Sequence, residues 1–213
     1  MDPPKLYGTP LSHFTRKIRI LLLELGVSFD FVRLPSLLDT SATPYGDNPL
    51  MRVPTLVDGA VTVIESDHIA RYVVGEYDPS DRLGVRRDDV RGMNVLAVVN
   101  GVMANEVVLI LAKRGGLTDV EGVTYFRKLI AAIDAGLAWL DKNTDPDQAS
   151  FDYRDISLIC MWQHVAHYTI TQNLEKYVRV AARVARFSDR PSVASTTPEA
   201  SLAEFAAPVV KPS

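Results

Sequence analysis

Arg52-Val53-Pro54-Thr55-Leu56-Val57-Asp58-Gly59-Ala60-Val61-Thr62-Val63-Ile64-Glu65-Ser66 is the stretch whose reading decides the fold. Two short apolar runs, Thr55–Val57 and Val61–Ile64, flank Asp58-Gly59, a dipeptide that suits the primed turns of two-stranded hairpins, so the stretch predicts a β-hairpin. Pro54 heads the first strand, a position a proline tolerates because it has no N–H to give to a ladder. A cis Val53-Pro54 bond there would turn the Val53 N–H and C=O outward, free to pair with an extended peptide laid antiparallel. The alternative is an ordinary strand-opening proline. At the other end, Glu65-Ser66 joins the hairpin to a helix through Tyr77 that Ser66 can cap. A helix start presents unpaired N–H groups and partial positive charge, so Ser66 could take a carboxylate and Glu65 an ammonium, the two ends of an α-amino acid. The alternative there is a plain cap beside a solvated acid. Arg52 is either a surface cation or the partner of a second carboxylate. A backbone clamp, a zwitterion site and a distal cation together fit one small acidic peptide.

Upstream, Lys5-Leu6-Tyr7 reads as a strand, Gly8 to Ser12 as a polar turn, and Phe14 to Leu25 as a helix with Ile18, Leu21, Leu22 and Leu25 at helical spacing and Gly26 as its stop. Phe29 to Leu34 closes a βαβ unit, and residues 35–49 are irregular. Ser12 stands in the turn before the helix. Its hydroxyl can cap the helix, or it can donate to an anion that the helix dipole already favours, such as a ligand thiolate. No Gly-x-Ser-x-Gly elbow surrounds it, which argues against a nucleophilic serine. Downstream, Tyr77-Asp78-Pro79-Ser80-Asp81 is rich in turn formers, and everything beyond reads as helix: Arg87 to Lys113, Val120 to Lys142, Ile156 to Thr169 and Leu174 to Phe187. The predicted organisation is an α/β domain at 1–80, an all-α domain at 86–198 and a tail at 199–213.

The 213 residues carry 47% hydrophobic and 23% charged side chains and a net charge of −3, so a sizeable core is available and no basic stripe invites nucleic acid. The single cysteine, Cys160, excludes an intramolecular disulfide, a Cys-x-x-Cys pair and a cysteine-rich metal site, and fits a reducing cytoplasm. Met1 to Lys5 contains two prolines and no apolar core follows, so no signal peptide is expected. The most apolar windows contain Asn100, Asn105, Glu106, Gln163 and His164, and read as buried helices with no membrane partner. His164 and His167, with Trp162 and Tyr168, read as core and surface, and no metal is expected.

These residues resemble the cytosolic glutathione transferase superfamily in its serine-type form. Lys5-Leu-Tyr-Gly-Thr-Pro-Leu-Ser-His-Phe-Thr-Arg-Lys-Ile-Arg19 is similar to the family's first strand and helix. Asn48-Pro-Leu-Met-Arg-Val-Pro-Thr-Leu-Val-Asp-Gly59 looks like Asn-Pro-x-x-Lys-Val-Pro-x-Leu-x-Asp-Gly, and Glu65-Ser66 with Ile69 and Tyr72 resembles Glu-Ser-x-x-Ile-x-x-Tyr. Phe151-Asp152-Tyr-Arg-Asp155-Ile156 resembles a helix-capping segment of the family's helical core, with Asp152 as cap and Asp155 reciprocating. The resemblance implies a thioredoxin-like N-terminal domain, an all-α C-terminal domain and glutathione as cosubstrate. It implies Ser12 as the thiol-activating residue and Arg52, Val53, Pro54, Glu65, Ser66 and His13 around the peptide. A small hydrophobic electrophile as second substrate, a role in detoxification, a cytoplasmic location and a homodimer follow from it as well. His13 stands where proline is usual and Arg52 replaces the usual lysine, which keeps the charge but changes its geometry. Tyr7 is a rival activator, although its place inside the first strand is one turn too early. The absence of cysteine at position 12 argues against the thiol-exchange branches. A non-catalytic glutathione transferase-like binding or scaffolding protein and a glutathione-dependent isomerase are the other readings of the same residues.

Overall fold

The computed structural model describes residues 2–38 and 40–206. They fall into two compact units, one from Met1–Arg86 with Arg190–Ser213 and the other from Arg87–Asp189.

The first unit contains the strands β1 (Lys5–Gly8), β2 (Asp30–Arg33), β3 (Thr55–Asp58) and β4 (Val61–Ile64), with helices α1 (His13–Leu25) and α2 (Ser66–Tyr77). The sheet order is β2-β1-β3-β4, with β1 parallel to β2 and antiparallel to β3, and β3 antiparallel to β4. The βαβ unit and the Asp58-Gly59 hairpin therefore form where sequence predicts them. Ile18, Leu21 and Leu22 of α1 and Ile69, Ala70, Val73 and Val74 of α2 are buried with Leu6 and Leu56 of the sheet. Gly8 ends β1 at a close approach to α1: a Cβ there would lie 2.2 Å from Thr15 Cγ2, so no side chain fits.

α1 also buries Arg16, Lys17 and Arg19. A buried guanidinium needs acceptors, and four come from the far end of the chain. Arg16 donates to the Val193 carbonyl at 3.1 Å and the Thr196 hydroxyl at 3.2 Å; Arg19 donates to Ser201 Oγ at 3.1 Å and Glu204 at 2.7 Å. Glu24 accepts from Arg190 at 3.1 and 2.6 Å and from the Ser192 hydroxyl. Sequence division left residues up to 198 with the helical domain. In the structure the segment after Asp189, with its helices Pro191–Ala194 and Pro198–Ala206, counts with the first unit, because α1's charges need it. The predicted tail at 199–213 is thus helical as far as Ala206, and residues 207–213 lie outside the described residues.

Burial pushes the Glu24 carboxyl up, but hydrogen bonds from Arg190 and Ser192 and the charge of Arg190 outweigh it and hold the group below its ordinary 4.5. A carboxyl depressed by folding stabilises the fold above its unfolded pKa and loses that contribution as pH falls through the folded value. We therefore expect Glu24→Gln to cost about 1–2 kcal/mol near neutrality. In thermal melts from about pH 6 down to about pH 3, the gap between wild type and variant should close on the acid side.

The second unit packs α3 (Val90–Arg114), α4 (Thr124–Asn143), α5 (Tyr153–His167) and α6 (Val178–Phe187) around Val99, Met103, Ile133, Leu137, Ile156 and Val180, all nearly inaccessible. The start of α5 is the capping box expected from sequence. Asp152 accepts from the Arg154 and Asp155 amides at 2.9 and 3.3 Å, and Asp155 accepts from the Asp152 amide at 3.0 Å. The helix begins at Tyr153, ahead of the expected Ile156, because the box captures its first amides. Residues Leu174–Lys176 form a 3₁₀ turn, and only the part from Val178 continues as α6. Gly92 on α3 leaves room for Arg154, whose Nη1 would lie 1.4 Å from a Cβ at that position and which pairs with Asp89 at 2.9 Å.

Candidate active site

Tyr7 pairs with Thr55, and Thr55 with Ile64, so one row crosses β1, β3 and β4. The turn from Gly8 to Ser12, the loop Arg52-Val53-Pro54 and the junction Glu65-Ser66 all leave the sheet immediately beyond that row. Three segments far apart in sequence thus converge at one end of a single sheet, as their antiparallel pairing requires.

Ser12 is the N-cap of α1, with φ −68° and ψ 113°, and its Oγ accepts from the Thr15 amide at 3.2 Å. It is half-buried. That bond uses the oxygen's lone pair and leaves the hydroxyl proton for an acceptor in front of the helix. The cap and the donor are therefore compatible roles of the same side chain. His13, the first residue of α1, is 2% exposed with its ring 4.7 Å from Phe14, and of the other residues read as peptide contacts Pro54 and Ser66 are buried too.

The Val53-Pro54 bond is cis. Pro54 is buried, Val53 half-buried and Arg52 exposed. The loop is held by a residue that the sequence reading did not single out. Asn48, 2% exposed, donates to the Arg52 carbonyl at 2.9 Å and to Thr55 Oγ1 at 3.2 Å, and accepts from the Leu50 amide at 2.9 Å. Its amide brackets Val53-Pro54 on both sides. The available signal was an asparagine just before a proline at a loop end, a residue type that braces its own backbone.

At the third segment the capping role falls one residue earlier than sequence suggests. Glu65, with φ 73° and ψ 128°, is the N-cap of α2, and Ser66 is the first helical residue. The Glu65 carboxylate accepts from the amides of Asp67 and His68 at 3.0 and 3.2 Å and from the Ser66 hydroxyl at 3.1 Å. A non-glycine residue at such a φ costs on the order of 1–3 kcal/mol, and these bonds offset it. Two orphan amides of the helix are thereby satisfied, while the Ser66 N–H has no acceptor among the described residues. What this end of α2 offers a ligand is an amide on a positive helix terminus beside an exposed carboxylate.

The first unit is a thioredoxin-like domain and the second is all-α. Residues 6–81 match the family model of the glutathione S-transferase N-terminal domain. Over 81 residues the chain is 40% identical to glutathione S-transferase 3 of Zea mays, a match covering 36% of this chain and 36% of that protein. Over 109 residues it is 34% identical to the uncharacterized GST-like protein YibF of Escherichia coli K12, covering 46% and 50% of the two. The matched parts therefore span only about a third to a half of these relatives' length. A glutathione S-transferase from Methylobacterium radiotolerans, solved in complex with glutathione sulfonate, shares the fold with a TM-score of 0.78 at 21% identity, over 92% of this chain and 95% of that one. Residues 6–81 are thus similar in sequence to the glutathione S-transferase N-terminal domain, and 92% of the chain shares the fold of the solved transferase.

Proposed function

We propose that the protein is a glutathione transferase of the serine type, which binds glutathione across the end of the sheet and activates its thiol with Ser12. The observation that carries this reading is the row Tyr7, Thr55 and Ile64, beyond which Ser12, Val53 and Ser66 stand together. Glutathione lies extended and antiparallel to Val53, pairing with its N–H and C=O. The γ-glutamyl carboxylate meets the Ser66 amide and the ammonium meets Glu65. Arg52 faces the glycine carboxylate, and His13 backs the turn behind the sulfur. Ser12 donates its hydroxyl proton to the sulfur, and the positive end of α1 adds to the effect, so the thiol gives its proton to water at lower pH. The thiolate attacks a small hydrophobic electrophile: a carbon–sulfur bond forms, and with an aryl halide the halide leaves with the bonding pair. The thioredoxin-like domain at 1–80 carries this chemistry in the reading, and the all-α unit Arg87–Asp189 supplies the rest of the enzyme, a cytoplasmic protein of detoxification type.

A homodimer is part of the reading. Val90, Met93, Ala97, Gly101, Ala104 and Val108 form an exposed apolar stripe along α3, with Val90 75% exposed. α3 is long and apolar enough to cross a membrane by length and composition, yet the same stripe serves a second copy of the chain.

Conjugation of glutathione to an aryl halide, run beside calorimetric binding of glutathione, tests the reading. Turnover with saturable glutathione supports it. Binding without turnover would make the chain a non-catalytic relative, and failure to bind would end it. Within the reading, Asn48→Ala frees the clamp loop and raises KM for glutathione about 10-fold while kcat changes little, the signature of lost ground-state binding. Initial rates at varied glutathione concentration check this.

A further inference from the structure

The proposed mechanism makes no use of Lys17. It is the fully buried cation of α1, 0% exposed, where a leucine or methionine would pack at less cost. Its Nζ donates to Asp67 Oδ1 at 2.6 Å and lies 3.4 Å from Ser66 Oγ. Both partners belong to the first turn of α2, about fifty positions away in sequence and next to the carboxylate site proposed above. Lys17 is five residues beyond Ser12 on the same helix, about 7.5 Å along its axis.

An ammonium donates and never accepts, so Ser66 Oγ must accept from Lys17 and turn its one proton elsewhere. That proton goes to Glu65 Oε1 at 3.1 Å. The chain Lys17 to Ser66 to Glu65 fixes the rotor of the Ser66 hydroxyl. It leaves the Ser66 amide as the donor to a ligand carboxylate and sets a positive charge behind it. The ion pair with Asp67 anchors the same turn to the helix that Ser12 opens.

We propose that Lys17 is a positioning and specificity residue: it holds the α2 terminus at a set distance from Ser12 and makes that terminus select a ligand with a free α-carboxylate. This deepens the glutathione reading and rests on it.

The test compares Lys17→Met, which keeps length and loses charge, with Lys17→Arg, which keeps charge. The substrates are glutathione and its analogue lacking the γ-glutamyl α-carboxylate, γ-aminobutyryl-cysteinylglycine. Wild type should prefer glutathione strongly in kcat/KM. Lys17→Met should raise KM for glutathione about 10-fold or more, leave its KM for the analogue within about twofold, and keep kcat, whereas Lys17→Arg restores much of the preference. A merely structural lysine would weaken both substrates alike, so equal losses overturn the proposal, as does an unchanged preference in a folded Lys17→Met. Should that variant fail to fold, Asp67→Asn reads the same preference and must lower it. Failure of wild type to bind glutathione would sink the underlying reading; wild-type discrimination that survives the substitutions would sink only the role of Lys17.

Discussion

Ser12→Ala is expected to lower kcat for conjugation of glutathione by about 100-fold, while the Kd for glutathione changes by less than about threefold. The asymmetry follows from geometry. In the proposed reading the peptide is held by Val53, Glu65 and Ser66, whereas the sulfur takes the Ser12 hydroxyl as its donor. In the variant the thiol should titrate nearer the unperturbed cysteine value of about 8.5, so the rate is regained in part as pH rises. Ser12 also caps α1, and losing the bond from the Thr15 amide costs about 1 kcal/mol of stability, which must not be mistaken for lost chemistry. Ser12→Asp separates the two effects, because aspartate caps as well as serine but sets a negative charge against the thiolate. That variant should be as stable as wild type and as inactive as alanine. An active Ser12→Asp would show that the hydroxyl at position 12 is not the activator and would return attention to Tyr7.

The largest stability effect is expected at Arg183. It is 3% exposed and donates Nε and Nη2 to the two Asp155 oxygens at 2.7 Å each, Nη2 also to the Ser150 carbonyl at 2.6 Å, and Nη1 to the Gln148 carbonyl. One guanidinium thus joins α6, the loop before α5 and the capping box of α5. Burial pushes the Asp155 carboxyl up from its ordinary value, and the hydrogen bonds from Arg183 and from the Asp152 amide only partly offset this. Arg183→Met leaves a buried carboxylate and two carbonyls without their donor, and should cost about 3–5 kcal/mol in urea unfolding. Adding Asp155→Asn removes the stranded charge, so the double variant should recover part of the loss. A change below about 1 kcal/mol for Arg183→Met would mean that water replaces the guanidinium and that the loop is not held by it.

Much of the candidate site is legible in the residues themselves. Asp58-Gly59 between β-branched runs, Gly26 after a helical period and Asp152 three residues before Asp155 each state a local geometry through residues only a few positions apart. The convergence of Ser12, Val53 and Ser66 follows once those elements pair antiparallel, whereas the residues left open whether the Val53-Pro54 bond is cis, as it is in the structure. The choice of Glu65 over Ser66 as the cap was not legible, because both residue types can cap and the backbone at Glu65 had to enter a left-handed conformation before its carboxylate could reach two amides. Asn48 was visible as part of a motif, but its three hydrogen bonds exist only when the loop closes on β3.

By itself, then, the sequence determined the order of elements, the hairpin, the capping box and the identity of the residues at the sheet's end, since turn chemistry and hydrophobic period act over a few neighbours. Tertiary structure decided what becomes of the charged run Arg16-Lys17-Ile18-Arg19. A helical wheel would send most of those cations to solvent, yet Arg16 and Arg19 donate to residues between Val193 and Glu204, and Lys17 to Ser66 and Asp67. Burying a cation is unfavourable until its acceptors arrive, and here they arrive from as far as 185 positions away, a distance over which no local pattern carries information.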